Sequence, residues 1–333
     1  MNRQQWMASD DDMDSERRTP RQQIWDASAF RRRVMQWSAV LAIGAASLFG
    51  GGMARADGLE PAQPAIAQGA AQTDGLESPA SFAFPTVYVS SPVTGNVQGT
   101  GYADEDIMRY NSGAGTWSKA LDGSDAGLPD SADIDALTVI LNSGYLSFLV
   151  SFDTPTVINK LGTIDDSDVA RYDTWNGQWS LYLDGSAHGL STDAEDIDGL
   201  TFSPGGFLAV STTGGFTVKA LGGGKVKGAD EDLVLLVDAS THEWTLWQDG
   251  TNLGLQGTND LTAVSFLQVN DATVDDARYV VAQNAFTLPN GVAIGANDVA
   301  EQIWFQNGYS DFYKKFDNTT IGFAKIDALE VVK

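Results

Sequence analysis

Two aspartate positions recur four times along this chain. One set, Asp106, Asp168, Asp232 and Asp298, lies just ahead of a strand-like segment (DEDIMRY, DSDVARY, DEDLVLL and the weaker ANDVAEQIW). The other, Asp135, Asp198, Asp260 and Asp327, lies ahead of a second segment (DIDALTVI, DIDGLTF, NDLTAVSF, KIDALEVV). Four carboxylates brought round a common axis offer the oxygen ligands that Ca²⁺ prefers and that Na⁺ accepts less tightly. The same side chain also fixes a turn by accepting backbone N–H bonds, which by itself accounts for its recurrence in every unit. Asp104, Asp166 and Asp230, with Glu105 and Glu231, enlarge the acidic surface as a solvated loop face. Asp271, Asp275 and Asp276, in the insertion QVNDATVDDA, could serve as ligands or as a hydrolytic carboxylate pair.

Other chemistries are excluded by composition. The chain has no cysteine, which removes thiolate metal sites, disulfides and Cys nucleophiles. Its two histidines, His188 and His242, have no motif partners for a Ser-His-Asp triad, and His188 reads as a surface residue. Formal charge is −24, from 20 basic and 44 acidic residues, so neither a phosphate backbone nor an anionic membrane face is a partner. Lys219, Lys225 and Lys227 in KALGGGKVK form the one local basic cluster, a Gly-rich stretch without the strand–loop–helix context of a phosphate cradle.

The elements that position the aspartates come from a repeat. LDGSDAGL (121–128) returns as LDGSAHGL (183–190), QDGTNLGL (248–255) and FDNTTIGF (316–323). Asp122, Asp184, Asp249 and Asp317 are spaced by 62, 65 and 68 residues, and an aromatic stands five residues before each: Trp117, Trp179, Trp244 and Phe312. The D-G pairs read as hairpin turns using positive φ, and the aromatics as packing between units. Trp175, Trp247 and Trp304 have no counterparts in the other units and are the better candidates for a ligand surface. Each unit holds four strand-like segments and no helical period, the pattern of a four-stranded antiparallel blade. The last unit stops after its third strand, whereas Phe82–Ala103 matches a fourth strand and its loop. The expected fold is therefore all-β: a four-bladed β-propeller closed by pairing the N-terminal strand with the last blade, which leaves no open sheet edge. First and third strands run the same way, so both aspartate sets lie on one face of the ring, and whichever strand is innermost brings one set to the channel mouth.

Ahead of the repeats, residues 1–56 combine eight arginines, the uncharged run Val34–Met53 and Ala54-Arg55-Ala56, the three parts of a signal peptide. Arg31-Arg32-Arg33 resembles a twin-arginine signal, with Sec export as the other route. The expected destination is the periplasm or the extracellular space, the alternative being an anchor formed by an uncleaved 34–53 segment. Residues 57–81, rich in Ala, Gln and Pro, read as a flexible linker, and 82–333 as the propeller, with units at about 104–165, 166–229, 230–295 and 296–333 plus 82–103. Cleavage would leave 12 basic and 38 acidic residues, a surface that favours solubility and attracts cations.

The unit DIDALTVILNSGYLSFLVS, followed by DEDIMRYN and TWSKALDGS, resembles repeats of bacterial exported β-propellers and is similar in layout to the NHL/SMP-30-like blade. Its blade number is similar to that of hemopexin-like domains, a resemblance that implies a narrow channel able to hold ions. NSGAGTW (111–117) loosely resembles the Asp-box of sialidase propellers but lacks the aspartate, so no sialidase chemistry is implied. The expected function is a non-enzymatic binding or surface-structure module, monomeric, taking a protein or carbohydrate ligand at one propeller face and organised by a Ca²⁺-type cation at the channel mouth. The alternative is a secreted carboxylate-dependent hydrolase or lactonase on that face.

Overall fold

The computed structural model describes residues 86–142, 144–257, 259–268, 274–305, 310–317, 322–323 and 325–333. The signal-peptide and linker expectations fall on 1–81, outside the described residues. Among the described residues no helix is long and apolar enough to cross a membrane.

The chain runs as short strands. β1 (Thr86–Ser90) is followed by the hairpin β2 (Gly95–Val97) and β3 (Thr100–Tyr102), then β4 (Ile107–Asn111) and β5 (Thr116–Leu121). Next come β6 (Ile134–Asn142) and β7 (Tyr145–Phe152), the hairpin β8 (Thr156–Ile158) and β9 (Gly162–Ile164), then β10 (Val169–Asp173) and β11 (Gln178–Leu183). β12 (Gly199–Phe202) and β13 (Leu208–Ser211) lead to β14 (Phe216–Lys219) and β15 (Lys225–Gly228), then β16 (Leu233–Asp238) and β17 (Glu243–Gln248). The last set is β18 (Ala263–Gln268), β19 (Val274–Val281), β20 (Phe286–Thr287), β21 (Ala293–Ile294), β22 (Val299–Phe305), β23 (Ser310–Phe316) and β24 (Ala328–Val332).

Four antiparallel sheets of four strands result: β24-β1-β4-β5 (blade 1), β6-β7-β10-β11 (blade 2), β12-β13-β16-β17 (blade 3) and β18-β19-β22-β23 (blade 4). The first-named strand of each is innermost. β24, β6, β12 and β18 touch their neighbours round the axis, and diagonally opposite ones still bring Cα atoms within 8 Å. The protein is a four-bladed β-propeller with a narrow channel. It closes as the repeat predicts, β1 lying on β24 with Val87 opposite Val331 and Val89 opposite Leu329. The sheets are offset from the sequence units: each takes the third and fourth strands of one unit and the first and second of the next.

Apolar side chains fill the four seams between blades. Trp117, Trp179, Trp244 and Phe312 pack into them at equivalent places, as expected. The indole N–H of Trp179 donates to the Ala126 carbonyl and that of Trp244 to the His188 carbonyl, so each crosses a seam to the hairpin of the preceding blade. The hairpins between fourth and first strands, built of strands two to four residues long, are not legible as strands in the sequence. They seal the seams with Val97 and Tyr102, Ile158 and Ile164, Phe216 and Val218, and Phe286 and Ile294. KALGGGKVK is one of them, its glycines forming the turn between β14 and β15.

The D-G turns differ from expectation in one respect. Gly185 has φ −61°, and the positive φ falls four residues later, on Gly127, Gly189 and Gly254. The D-G glycine is needed for room instead: a Cβ on Gly123, Gly185 or Gly250 would lie 2.2, 1.9 or 2.1 Å from the carbonyl oxygen of Glu105, Ser167 or Glu231. Gly185→Ala is therefore expected to destabilise the fold by about 2 kcal/mol or more, as overpacking does, read as a lower urea midpoint.

Candidate functional site: the carboxylate cluster at the channel mouth

The two aspartate sets have different surroundings. Asp106 accepts N–H bonds from Ala103 (2.9 Å) and Gly123 (3.0 Å). Asp168 does the same with Asp165 (3.0 Å) and Gly185 (2.9 Å), and Asp232 with Ala229 (3.0 Å) and Gly250 (2.9 Å). Each carboxylate thus clamps the turn before its strand onto the D-G glycine, which is why that glycine sits so close. Asp298 accepts from Gly295 (2.9 Å) and pairs with Lys314 (2.6 Å), as Asp106 pairs with Lys119 (2.7 Å). These oxygens are committed to backbone and lysine.

The other set stands at the start of the inner strands, and the structure corrects its register. Asp133, Asp196 and Asp260 each present a backbone carbonyl to the loop after the second strand, accepting from Asp153, Thr213 and Gln283. Asp260 is therefore equivalent to Asp133 and Asp196, one tier farther out than Asp135, Asp198 and Asp327. The buried apolar residues Ile134, Ile197, Leu261 and Ile326 mark the same register. The outer tier reads Asp133, Asp196, Asp260, Lys325, and the inner tier Asp135, Asp198, Thr262, Asp327.

The carboxylates crowd on the side of blades 2 and 3. Asp135, Asp153 and Asp196 hold ligand oxygens within 4.8 Å of one another, a spacing that lets three oxygens share one Ca²⁺ at its 2.3–2.6 Å bond length. Asp153 is exposed at the rim, whereas Asp135 is 5% exposed, and neither of its oxygens has a hydrogen-bond donor among the described residues. Asp196 Oδ1, Asp198 Oδ2, Asp260 Oδ1 and Thr262 Oγ1 are also buried without a partner there. Asp198 is held by the Ser211 hydroxyl (2.7 Å), which fixes its direction.

Burial and mutual repulsion dominate the electrostatics. Burial, then the charges of Asp196, Asp327, Asp198 and Asp153, push Asp135 well above the usual carboxylate range. Asp198 rises likewise, first by burial and then through Asp260. Burial leads in raising Asp196 and Asp327 to about 8, Asp133 to about 7 and Asp260 to about 6. Farther down the channel, Thr138, Thr201, Ser265 and Glu330 occupy one equivalent position. Thr201 accepts from the Phe266 N–H and Ser265 from the Val331 N–H, whereas Glu330 breaks the pattern and takes the Thr138 hydroxyl (3.2 Å).

Other sequence candidates disperse. Glu105 and Glu231 are buried at the D-G turns. Trp175 is 65% exposed beside Tyr145 (ring centroids 6.3 Å), whereas Trp247 and Trp304 face Arg278. His188 is half-buried, its ring against His242 at 4.5 Å and its nitrogens facing the Asp184 and Ala239 carbonyls. Asp276 is half-buried on β19, and Asp271 lies outside the described residues. Asp153 was missed because no other unit carries it; its departure from the repeat was the available signal.

No family model matches this chain, and no curated protein matches it. Among solved structures it is similar to a Bacteroides caccae protein of unknown function (8% identity, TM-score 0.32, covering 75% of this chain and 100% of that one). It is also similar to the extracellular domains of a hybrid two-component system (12%, 0.31) and a one-component system (12%, 0.28) of B. thetaiotaomicron. Those alignments cover 73% and 71% of this chain but only 28% and 29% of the longer ones.

Proposed function

We propose that this chain is an exported, non-enzymatic binding module whose channel mouth takes a calcium-type cation between blades 2 and 3. The observation that carries the reading is Asp135, a buried carboxylate with no donor on either oxygen, set against Asp153 and Asp196 at ligand spacing. A carboxyl buried in this way stays there either protonated or with a counter-ion, and a cation held by three oxygens supplies the counter-ion. The three oxygens fill part of a six- to eight-fold Ca²⁺ sphere, and water would supply the remaining ligands. Lys325 neutralises the opposite side of the mouth, which directs the cation off the axis.

Export rests on the signal-peptide pattern of residues 1–56. The acidic face around the mouth is where a protein or carbohydrate ligand would dock on the monomer. The resemblance of the repeat to NHL/SMP-30-like blades, and of the blade number to hemopexin-like domains, is compatible with this reading. Nothing among the described residues favours the hydrolase or lactonase alternative.

Calorimetric titration of the full chain with CaCl₂ is expected to show saturable binding, lost in the Asp135→Asn/Asp196→Asn variant while its far-UV spectrum stays unchanged. No heat, together with a melting temperature indifferent to chelator, would exclude the cation.

A further inference from the structure

The end of blade 2 remote from the carboxylates holds two aromatic rings in solvent. The inner strand β6 is nine residues long, against four in β12 and five in β24, and the extra residues fall at the end away from Asp135. Tyr145 opens β7 there, 50% exposed, and Trp175 stands 65% exposed in the β10–β11 turn beside it. Their ring centres are 6.3 Å apart and their planes meet at 63°. Trp175 comes four residues before the seam aromatic Trp179, a place taken by Gly113, Ser240 and Gly308 in the other units, so it is not repeat packing. The turn is nonetheless well fixed. Asp173 accepts the Trp175 N–H (3.1 Å) and Asn176 Oδ1 the Gln178 N–H (2.9 Å). The Thr174 N–H (3.1 Å) and hydroxyl (2.7 Å) both donate to the Leu146 carbonyl, which ties the turn to the β6–β7 hairpin.

Aromatic rings pinned in water by backbone bonds gain nothing for the fold and mark a contact surface. At 150–250 Å² per aromatic side chain, the two leave on the order of 250 Å² uncovered, well short of the roughly 800 Å² that each partner of a stable protein pair buries. That area suits one or two sugar rings. Polar groups stand alongside. Ser147, Asp173 and Gln178 form one cross-strand row on the pleat face that carries Tyr145, and the Gln178 side chain is exposed. Arg171 donates to the Ser147 hydroxyl (2.9 Å) and pairs with Asp173 (3.4 Å). Charge is therefore balanced here, on a chain of net charge −24, which fits a neutral ligand rather than a polyanion or a polycation. We infer that this end of blade 2 binds a neutral oligosaccharide, the C–H face of one pyranose against Trp175 and its edge against Tyr145. Its hydroxyls reach the Asp173 carboxylate and the Gln178 amide, an acceptor and a donor–acceptor pair. The site stands apart from the channel mouth and does not depend on a cation there.

The test is calorimetry of the full chain with cellohexaose, xylohexaose and mannohexaose in buffer containing chelator. Saturable binding of at least one is expected. Trp175→Ala should weaken it about ten-fold or more, and Tyr145→Ala by a smaller factor, with Trp175→Phe between parent and Trp175→Ala. Both side chains are exposed, so the variants should melt with the parent. Asp135→Asn/Asp196→Asn should bind the sugar as the parent does, which separates this site from the channel mouth. No saturable heat with any of the three hexasaccharides, or equal binding by Trp175→Ala, overturns the assignment. So does a dimer in sedimentation that Trp175→Ala dissolves, since the rings would then seat a second copy of the chain.

Discussion

Ending the chain after Asp327, just ahead of β24, is expected to abolish cooperative folding of the ring. The truncation removes the inner strand of blade 1, five register pairs with β1 and the contacts of β24 with β6 and β18. Leu329 and Val331 are buried, and losing two such side chains costs on the order of 4 kcal/mol before any ladder hydrogen bond is counted. Glu330 also leaves, taking its bond to Thr138 across the channel. Typical domains have about 5–15 kcal/mol in total, so this loss, together with the newly exposed edge of β1, is enough to open the ring. Loss of near-UV dichroism and of a sigmoidal urea transition is the expected result, reversed in part by adding a peptide of residues 326–333. A truncated chain that still melts sharply at the parent temperature would show that closure is dispensable.

Raising the pH from 5 to 8 in calcium-free buffer should lower stability by about 3–5 kcal/mol, equivalent to a melting temperature lower by on the order of 10 °C. Asp260, Asp133, Asp196 and Asp327 lose their protons near pH 6, 7, 8 and 8 in the folded chain, against an ordinary aspartate value of 3.8. Between pH 4 and 8 the native state therefore binds more protons than the unfolded one, and stability falls as pH rises. The shifts are shared within one interacting array, which keeps the total well below their separate values. Calcium should cancel the decline, because it takes the place of those protons and binds more tightly as they leave. Asp135→Asn should flatten both trends. A stability that rises with pH between 5 and 8 without calcium would contradict this picture.

The repeat made the architecture legible because it constrains pairing. Four copies of one strand order, with the last copy lacking the strand that stands at the start of the body, leave ring closure as the consistent arrangement. Equivalent residues were legible for the same reason, as Trp117, Trp179 and Trp244 illustrate. The register of Asp260 was harder. Asp260 stands two residues earlier than the equivalent of Asp135, and the shift shows in the burial of Leu261, matching Ile134 and Ile197, and in the Asp260 carbonyl accepting from Gln283 as Asp133 does from Asp153. The seam-sealing hairpins escaped notice because strands of two to four residues carry too little alternation to stand out from loops. Asp153 matters because it is not repeated, so a reading built on self-similarity passes over it.

The order of strands in blade 1 has a further consequence for how the molecule is made. β1, β4 and β5 leave the ribosome early, but their fourth partner is encoded after every other strand, so the sheet waits with a bare edge while three-quarters of the propeller is synthesised. During that interval the β24 of a neighbouring nascent molecule fits the edge as well as the chain's own does. Crowded expression should therefore yield strand-exchanged oligomers, and slower synthesis should favour the self-closed monomer.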